Sequence, residues 1–291
     1  MNVRNYIGAD RFLNKTQVEP ELNEAANSLM LGICLRMIRY PERMMTPPCL
    51  KTVEDEHGLV LAAMMTPPHK LVVYGHRRDL GAGAGGLIDE LVREGWRVPG
   101  VLGPSEAAGC VAERWAEITG QRYEVERHQR VYELREVKHP VPSRGRLRLA
   151  TAADLELVTW WRTGFRVEIF GETDPEEARR ASERGIENEN IYVWEDGRPV
   201  SIAMKTRPTR NGISVSLVYT PPELRGRGYA TACVGELSRL LLRSGWAYCA
   251  LFVDRANAAA SRVYQKIGYQ PTCDYDEYVF FDCEESRGRC R

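Results

Sequence analysis

The chain has 291 residues, 43% hydrophobic and 27% charged, with 40 Lys+Arg against 40 Asp+Glu for a formal net charge of zero. This is the composition of a folded protein long enough for two ordinary domains, and the charge balance argues against broad affinity for nucleic acid. No apolar run approaches a membrane span and Met1–Phe12 lacks the pattern of a secretory signal, so a cytoplasmic protein with no membrane partner is expected.

The first half reads as helices around 10–17 and 20–39, then strands near 50–55, 58–65 and 70–75. A helix near 84–95, a strand near 98–102, a helix over 105–118 and a long strand over 122–137 come next. The run GAGAGG (81–86) matches GxGxxG letter for letter. A dinucleotide site would place the first glycine directly after the first strand of a βαβ unit. Here HRRDL intervenes and two strands already precede, so that reading fails. The stretch VKHPVPSRGR (137–146), with two prolines and a glycine among polar residues, reads as a linker. It sets expected domains of 1–141 and 142–291.

In the second half RLRLA is strand-like, and Thr151 with Asp154 marks a helix start whose apolar positions are Leu155, Val158 and Trp161. A second helix opens near Pro175, where proline suits the first turn. Two hairpins are expected, at Asp196-Gly197 and at Asn211-Gly212, because these dipeptides favour positive φ. Three antiparallel strands thus end near Tyr219. A helix from about Arg227 to Ser244, a buried strand in WAYCALFVD, a helix in NAAASRVYQKIG and a last strand in PTCDYDEYVFF complete the order β-α-α-β-β-β-α-β-α-β. The first half repeats this order loosely, as an old duplication would.

Between strand and helix lies ELRGRGYATACVGEL (223–237). A helix start has N–H groups without intrahelical partners and partial positive charge. Gly226 and Gly228 let backbone approach an anion, Ala230 keeps the first turn slim, and Arg225 and Arg227 add charge at the rim. No Gly-Lys-Ser/Thr comes after it, which separates the turn from a P-loop. The eight cysteines (34, 49, 110, 233, 249, 273, 283 and 290) form no CxxC pair, and all five histidines precede residue 140. Reduced thiols and no metal site are expected.

The pattern Arg-x-x-Gly-x-Ala after a strand resembles motif A of the GNAT superfamily of acyl-CoA-dependent N-acetyltransferases. NAAASRVYQKIGY resembles the second signature of that family, with Asn257, Ala260, Tyr264, Gly268 and Tyr269 at its fixed positions. The resemblance covers roughly the C-terminal half. It implies an α/β fold of α+β type, with tandem GNAT-like lobes, each a mostly antiparallel sheet with a splayed parallel strand pair flanked by helices.

Carried over, the family implies that backbone of Val218, Tyr219 and Thr220 pairs with the pantetheine arm of acetyl-CoA. Amides of Arg225, Gly226, Arg227, Gly228, Tyr229 and Ala230 would hold the pyrophosphate, Asn257 would bond the pantetheine region, and Tyr264 would face the thioester sulfur. In the first half Ala116 stands where Tyr264 would, four residues before Gly120, and no proline-led motif precedes Arg78. That half is expected to be a degenerate lobe.

Amide formation from a thioester needs a neutral amine and a leaving thiolate. A phenol near pKa 10 is a weaker acid than a thiol near 8.5, so full proton transfer costs about 2 kcal/mol, whereas a hydrogen bond that strengthens in the transition state suffices. Tyr264 is the expected donor. Glu168 or Glu172, or a water chain, would take the proton of the amine. Cys233 and Cys249 read as packing residues. The expected activity is direct transfer of acetyl from acetyl-CoA to a primary amine of a small molecule, in a ternary complex. A CoA-binding or interaction protein with lapsed catalysis is the alternative. An RNA-binding arm built from RGRG and the terminal SRGRCR is a weaker third reading.

Overall fold

The apolar runs at 49–55, 58–65 and 71–74 fold as strands, whereas those at 28–39 and 80–93 fold as helices. The computed structural model describes residues 1–16, 23–44, 46–75, 79–138, 144–171 and 173–282. One unit takes in Met1–Val131, Asp254–Ala256 and the chain from Thr272 onward; a second takes in Tyr132–Val253 and Asn257–Pro271.

The first unit runs β1 (Asn2–Asn5), α1 (Ala9–Thr16), α2 (Ser28–Arg39), β2 (Cys49–Asp55), β3 (Gly58–Met65), β4 (Leu71–Tyr74), α3 (Leu80–Arg93), β5 (Gly100–Pro104), α4 (Ser105–Thr119) and most of β6 (Arg122–Leu134). Strands β1 to β5 lie side by side in that order, antiparallel except for the parallel pair β4–β5. One core beneath α3 and α4 buries Val53, Leu61, Leu87, Ile88 and Trp115. A second, beneath α1 and α2, buries Phe12, Leu31, Met64 and Tyr74. β1 escaped the sequence reading because four half-polar residues carry no clear alternation.

The GAGAGG run is not a turn. All of it lies within α3, and none of its glycines has positive φ. A Cβ on Gly83 would meet Val60 Cγ1 at 2.8 Å, so the small residue lets α3 pack closely on β3. Arg78 lies outside the described residues.

The second unit runs β7 (Arg146–Leu149), α5 (Leu155–Phe170), α6 (Pro175–Glu187), β8 (Ile191–Glu195), β9 (Pro199–Thr206), β10 (Gly212–Tyr219), α7 (Tyr229–Arg243), β11 (Tyr248–Asp254) and α8 (Ala258–Ile267). The strand order is β7-β8-β9-β10-β11, with β10–β11 parallel and the other pairs antiparallel. Ala232, Cys233, Leu237, Cys249, Leu251 and Ile267 form the core under α7 and α8. Val158, Trp161, Ile191, Val193, Ile202 and Leu217 form the core on the α5 side.

The Thr151–Asp154 start is a capping box. Asp154 accepts from the Thr151 amide at 2.8 Å and from Arg148 at 2.8 Å on each oxygen. That guanidinium, chiefly, pulls the Asp154 carboxyl down to about 2.

The last strand, β12 (Gln270–Phe281), belongs to the first unit from Thr272, where Tyr275–Val279 pair antiparallel with Gly100–Pro104 of β5. The grouping therefore differs from a linear cut at 141/142: Tyr132–Lys138 go with the second unit and the last strand with the first. Periodicity reports that a strand exists, not which partner it will pair with. Each unit is a mixed α/β arrangement of parallel and antiparallel strands flanked by helices.

The two expected hairpin turns divide. Gly197 has φ 68°, as a tight turn at Asp196-Gly197 requires. Neither Asn211 nor Gly212 has positive φ, and Gly212 already sits in β10 opposite Tyr248. The turn is instead closed by Thr209, whose amide bonds the Gly212 carbonyl at 2.9 Å and whose hydroxyl receives the Gly212 amide at 3.2 Å. Gly212 is small because the Tyr248 ring lies over it: a Cβ there would come within 2.0 Å of the ring. Gly212→Ala should cost about 1–3 kcal/mol by forcing the ring and the strand pair apart. Denaturant unfolding checks this, and Tyr248→Ala in the same chain should remove most of the penalty; additive losses would refute the clash.

Candidate active site

The site begins with a gap in the sheet. The parallel ladder of β10 and β11 covers only Gly212–Ser214 against Tyr248–Ala250, although both strands run on. On its other edge β10 changes register: Ser216 pairs with Met204 and Tyr219 with Ile202, which leaves Leu217 and Val218 opposite Ala203 alone. This is a β-bulge, which bends a strand and re-aims the residues beyond it. Leu217 takes φ 49°, an uncommon conformation for a branched residue. Its burial in the α5-side core holds it there. Beyond the bulge the Tyr219 carbonyl accepts from Ser201 Oγ at 3.1 Å, and the same hydroxyl lies 2.9 Å from Thr220 Oγ1. Ser201 and Leu217 were missed in the sequence; only an apolar residue forced into a left-handed φ would have signalled them, and no residue code shows that.

The RGRG turn comes after a short 3-10 turn over Pro222–Leu224. Gly226 and Gly228 have φ 78° and 82°, and a Cβ at either would meet nothing within 4 Å. Backbone conformation, not crowding, therefore requires glycine at both. Gly228 is the N-cap of α7 and supplies no capping side chain, and the first turn holds no acidic residue. The first amides, at Tyr229, Ala230 and Thr231, precede the first intrahelical bond, from Ala232 N to the Gly228 carbonyl at 3.0 Å. The Tyr229 ring turns away and donates to Asp196 Oδ2 at 2.8 Å, pinning the helix start to the β8–β9 turn.

Arg225 ties turn, strand and helix together. Its Nε donates to the Thr220 carbonyl at 2.8 Å, and its Nη2 meets both oxygens of Glu168 at 2.7 and 2.8 Å. The guanidinium carbon also lies 5.7 Å from the Tyr219 ring centroid. The Tyr219 hydroxyl rests against α5, 2.6 Å from where a Cβ on Gly164 would be. Burial, then the nearby Glu168 charge, raises the Tyr219 phenol. Glu168 is thus brought to the site, paired with Arg225, while Glu172 lies outside the described residues. Arg227 stays at the rim, exposed.

Asn257 and Tyr264 are also in this unit. The Asn257 side chain caps α8, accepting from the Ala260 amide at 2.9 Å. Tyr264, only 8% exposed, packs edge-on against Tyr269 with centroids 5.9 Å apart, and Tyr269 bonds Ser238 Oγ at 2.9 Å. Among the described residues the Tyr264 hydroxyl has no hydrogen-bond partner. Burial, with a smaller contribution from Cys233, pushes its phenol well above the ordinary tyrosine range. Burial also pushes the Cys233 and Cys249 thiols up to about 12. Cys283, Cys290 and the terminal SRGRCR lie outside the described residues. No metal-type cluster of His, Cys, Asp and Glu occurs among the described residues, and no described helix is long and apolar enough to cross a membrane.

The chain is similar to known proteins in part of its sequence and in its fold. Residues 200–279, which hold β9, the bulge, the glycine turn, α7 and α8, match the FR47-like protein family. No curated protein matches the chain in sequence. Among solved structures, a GCN5-related N-acetyltransferase from Sphaerobacter thermophilus is 18% identical with TM-score 0.62, over 97% of each chain. A tandem GNAT protein from the clavulanic acid biosynthesis pathway is 13% identical with TM-score 0.54, over 96% of this chain and 98% of that one. A GNAT-family acetyltransferase from Colwellia psychrerythraea is 12% identical with TM-score 0.53, over 96% and 99%. Likeness at such identities speaks for fold alone. The chain is thus similar in fold, along its length, to tandem and single GNAT-family structures, and residues 200–279 carry the FR47-like pattern.

Proposed function

We propose that the second unit transfers an acyl group, acetyl from acetyl-CoA first, to the primary amine of a small molecule by direct reaction of the two bound substrates. The observation that carries this is one juxtaposition: an uncapped helix start behind two left-handed glycines, beside a bulged strand edge that lacks a partner. The first suits a pyrophosphate and the second an extended amide-bearing arm. The amides of Arg225–Ala230 would hold the pyrophosphate. Because the carbonyls of Tyr219 and Thr220 are engaged by Ser201 and Arg225, strand-like contacts to the arm would centre on Val218. Among the described residues the amide donors of Asn257 have no partner, and they would suit the same arm.

In the reaction the amine nitrogen attacks the thioester carbon, the C–S bond breaks, the thiolate takes a proton and the nitrogen loses one. Tyr264 keeps its proton at any neutral pH, so it would act as a hydrogen-bond donor to the departing sulfur and never as a base. Glu168, with both oxygens on Arg225, would hold that arginine in place, and water would carry the amine proton away. Protonated, buried thiols at Cys233 and Cys249 favour direct transfer over an acyl-cysteine route. The deep burial of Tyr264 favours a second reading, a CoA-binding protein without turnover.

Calorimetric titration of the chain with acetyl-CoA should show about one saturable site; no binding would remove the acyltransferase reading. Gly228→Val, which puts a β-branched residue at φ 82°, should abolish that binding while the circular dichroism stays unchanged. Tyr264→Phe should lower turnover by about 10²–10⁴ with little change in acetyl-CoA affinity. Full activity in that variant would assign the proton to another group, and acetyl-CoA binding with no turnover on any amine would select the second reading.

A further inference from the structure

Arg162 stands apart from the other buried charges of the second unit. It lies mid-helix in α5, half-buried between α5, α6 and the sheet. Its Nε donates to Ser182 Oγ at 3.1 Å, and its Nη2 approaches the Met204 sulfur at 3.6 Å. No carboxylate among the described residues forms an ion pair with it. Guanidinium has five N–H donors, so most remain unspent. Like charges crowd it: Arg166 is one turn on along α5, and Arg184 faces it from α6, itself paired with Glu177 at 2.8 Å. Burial foremost, then Arg184 and Arg166, lowers the Arg162 guanidinium to about 10, with Glu177 opposing. It is still cationic at neutral pH. A half-buried cation with no ion pair among the described residues is costly, and its planar fork matches an oxyanion.

The surroundings place this charge beside the proposed acyl site. Met204 pairs with Ser216, the residue immediately before the bulge. Ile213 and Val215 point to the core under α7, so by strand alternation Ser214 and Ser216 face the α5 side, with Met204. Ser214 is fully buried and, among the described residues, its hydroxyl has no partner. Ser216 and Val218 flank Leu217, so the two positions lie at most roughly 7 Å apart. That is the span of a short molecule with an anion at one end and an amine at the other.

We propose that Arg162 is the anion anchor of the acceptor site, so that the acceptor is a small primary amine bearing a carboxylate. The amine half of this statement rests on the acyltransferase reading; the anion half does not. The carboxylate sits on the unspent donors of Arg162, the bulge fixes where the amine meets the acyl carbon, and Arg166 and Arg184 raise the local potential that draws an anion in.

The test uses the full chain and paired probes: glycine, β-alanine and γ-aminobutyrate, each against the amine that lacks its carboxylate. Thermal unfolding with each probe reads binding without turnover, and release of free thiol from acetyl-CoA reads transfer. At least one amino acid should raise the melting temperature and its paired amine should not. Arg162→Gln should lose that shift and raise KM for the amino acid about 10–100-fold, leaving the acetyl-CoA affinity within about two-fold. Arg162→Lys, which keeps charge and bulk, should fall between and covers the case where the glutamine variant does not fold. Equal shifts from both members of every pair, or an unchanged response in both variants, would overturn the assignment. Acetyl-CoA titration of the same samples separates the two readings. Donor binding without any carboxylate preference sinks the anion site alone, and carboxylate binding without donor binding sinks the acyltransferase alone.

Discussion

The second unit depends on a parallel strand pair that stops pairing while both strands continue. Three residues of β10 are laddered to β11, and then the bulge at Leu217–Val218 turns the strand away. A left-handed leucine costs on the order of 1–2 kcal/mol, and the surrounding packing must offset it. It does so from both sides: Leu217 is buried on the α5 face, and Ser201 grips the chain just beyond through Tyr219 and Thr220. Because Tyr219 is re-aimed by the bulge, its hydroxyl reaches α5 at Gly164, and the Arg225–Glu168 pair closes over it. The glycine turn thus hangs from the same strand whose edge it leaves open.

The two units share elements of topology and differ in where their glycines lie. Each has a short parallel pair, β4–β5 in the first and β10–β11 in the second, with a helix after it that ends in a left-handed glycine, Gly120 or Gly268. The helix between the paired strands differs. In the second unit it opens on exposed glycines that free its first amides; in the first its glycines lie inside the helix, against Val60. The same residue type therefore does unlike jobs: φ fixes it at Gly226 and Gly228, and close packing fixes it at Gly83.

Charge pairing obeys a similar logic. Asp154 and Glu168 each hold an arginine in a definite place, Arg148 at the entry to α5 and Arg225 at the turn. Such pairs are worth more for position than for stability, since their partners are partly solvated. Arg162 differs from these in being half-buried with no ion pair among the described residues, which is why it is the proposed anchor for a ligand anion.

Most of the element order was legible in the sequence by itself. Apolar spacing, Thr151 with Asp154, Asp196-Gly197 and the helix-ending glycines are local signals, because each acts through its own backbone or its neighbours within a few residues. The glycine turn was legible for the same reason: an alternating glycine pattern before a helix can be read without knowing what packs nearby. What only the tertiary structure decided lies in contacts far apart in the chain. Asn211-Gly212 promised a tight turn, but the Tyr248 ring claimed the glycine for packing. Glu168, read in the sequence as one candidate to take the amine proton, lies in the last turn of α5 and is met there by Arg225 from far along the chain. Tyr264 was a site residue only through the family resemblance, and its burial against Tyr269 and near Cys233 raises its phenol in a way no local code shows. The bulge at Leu217, the sharing of the last strand with the first unit and the lone charge of Arg162 have no local code, since each is set by which partner a strand or side chain meets after folding.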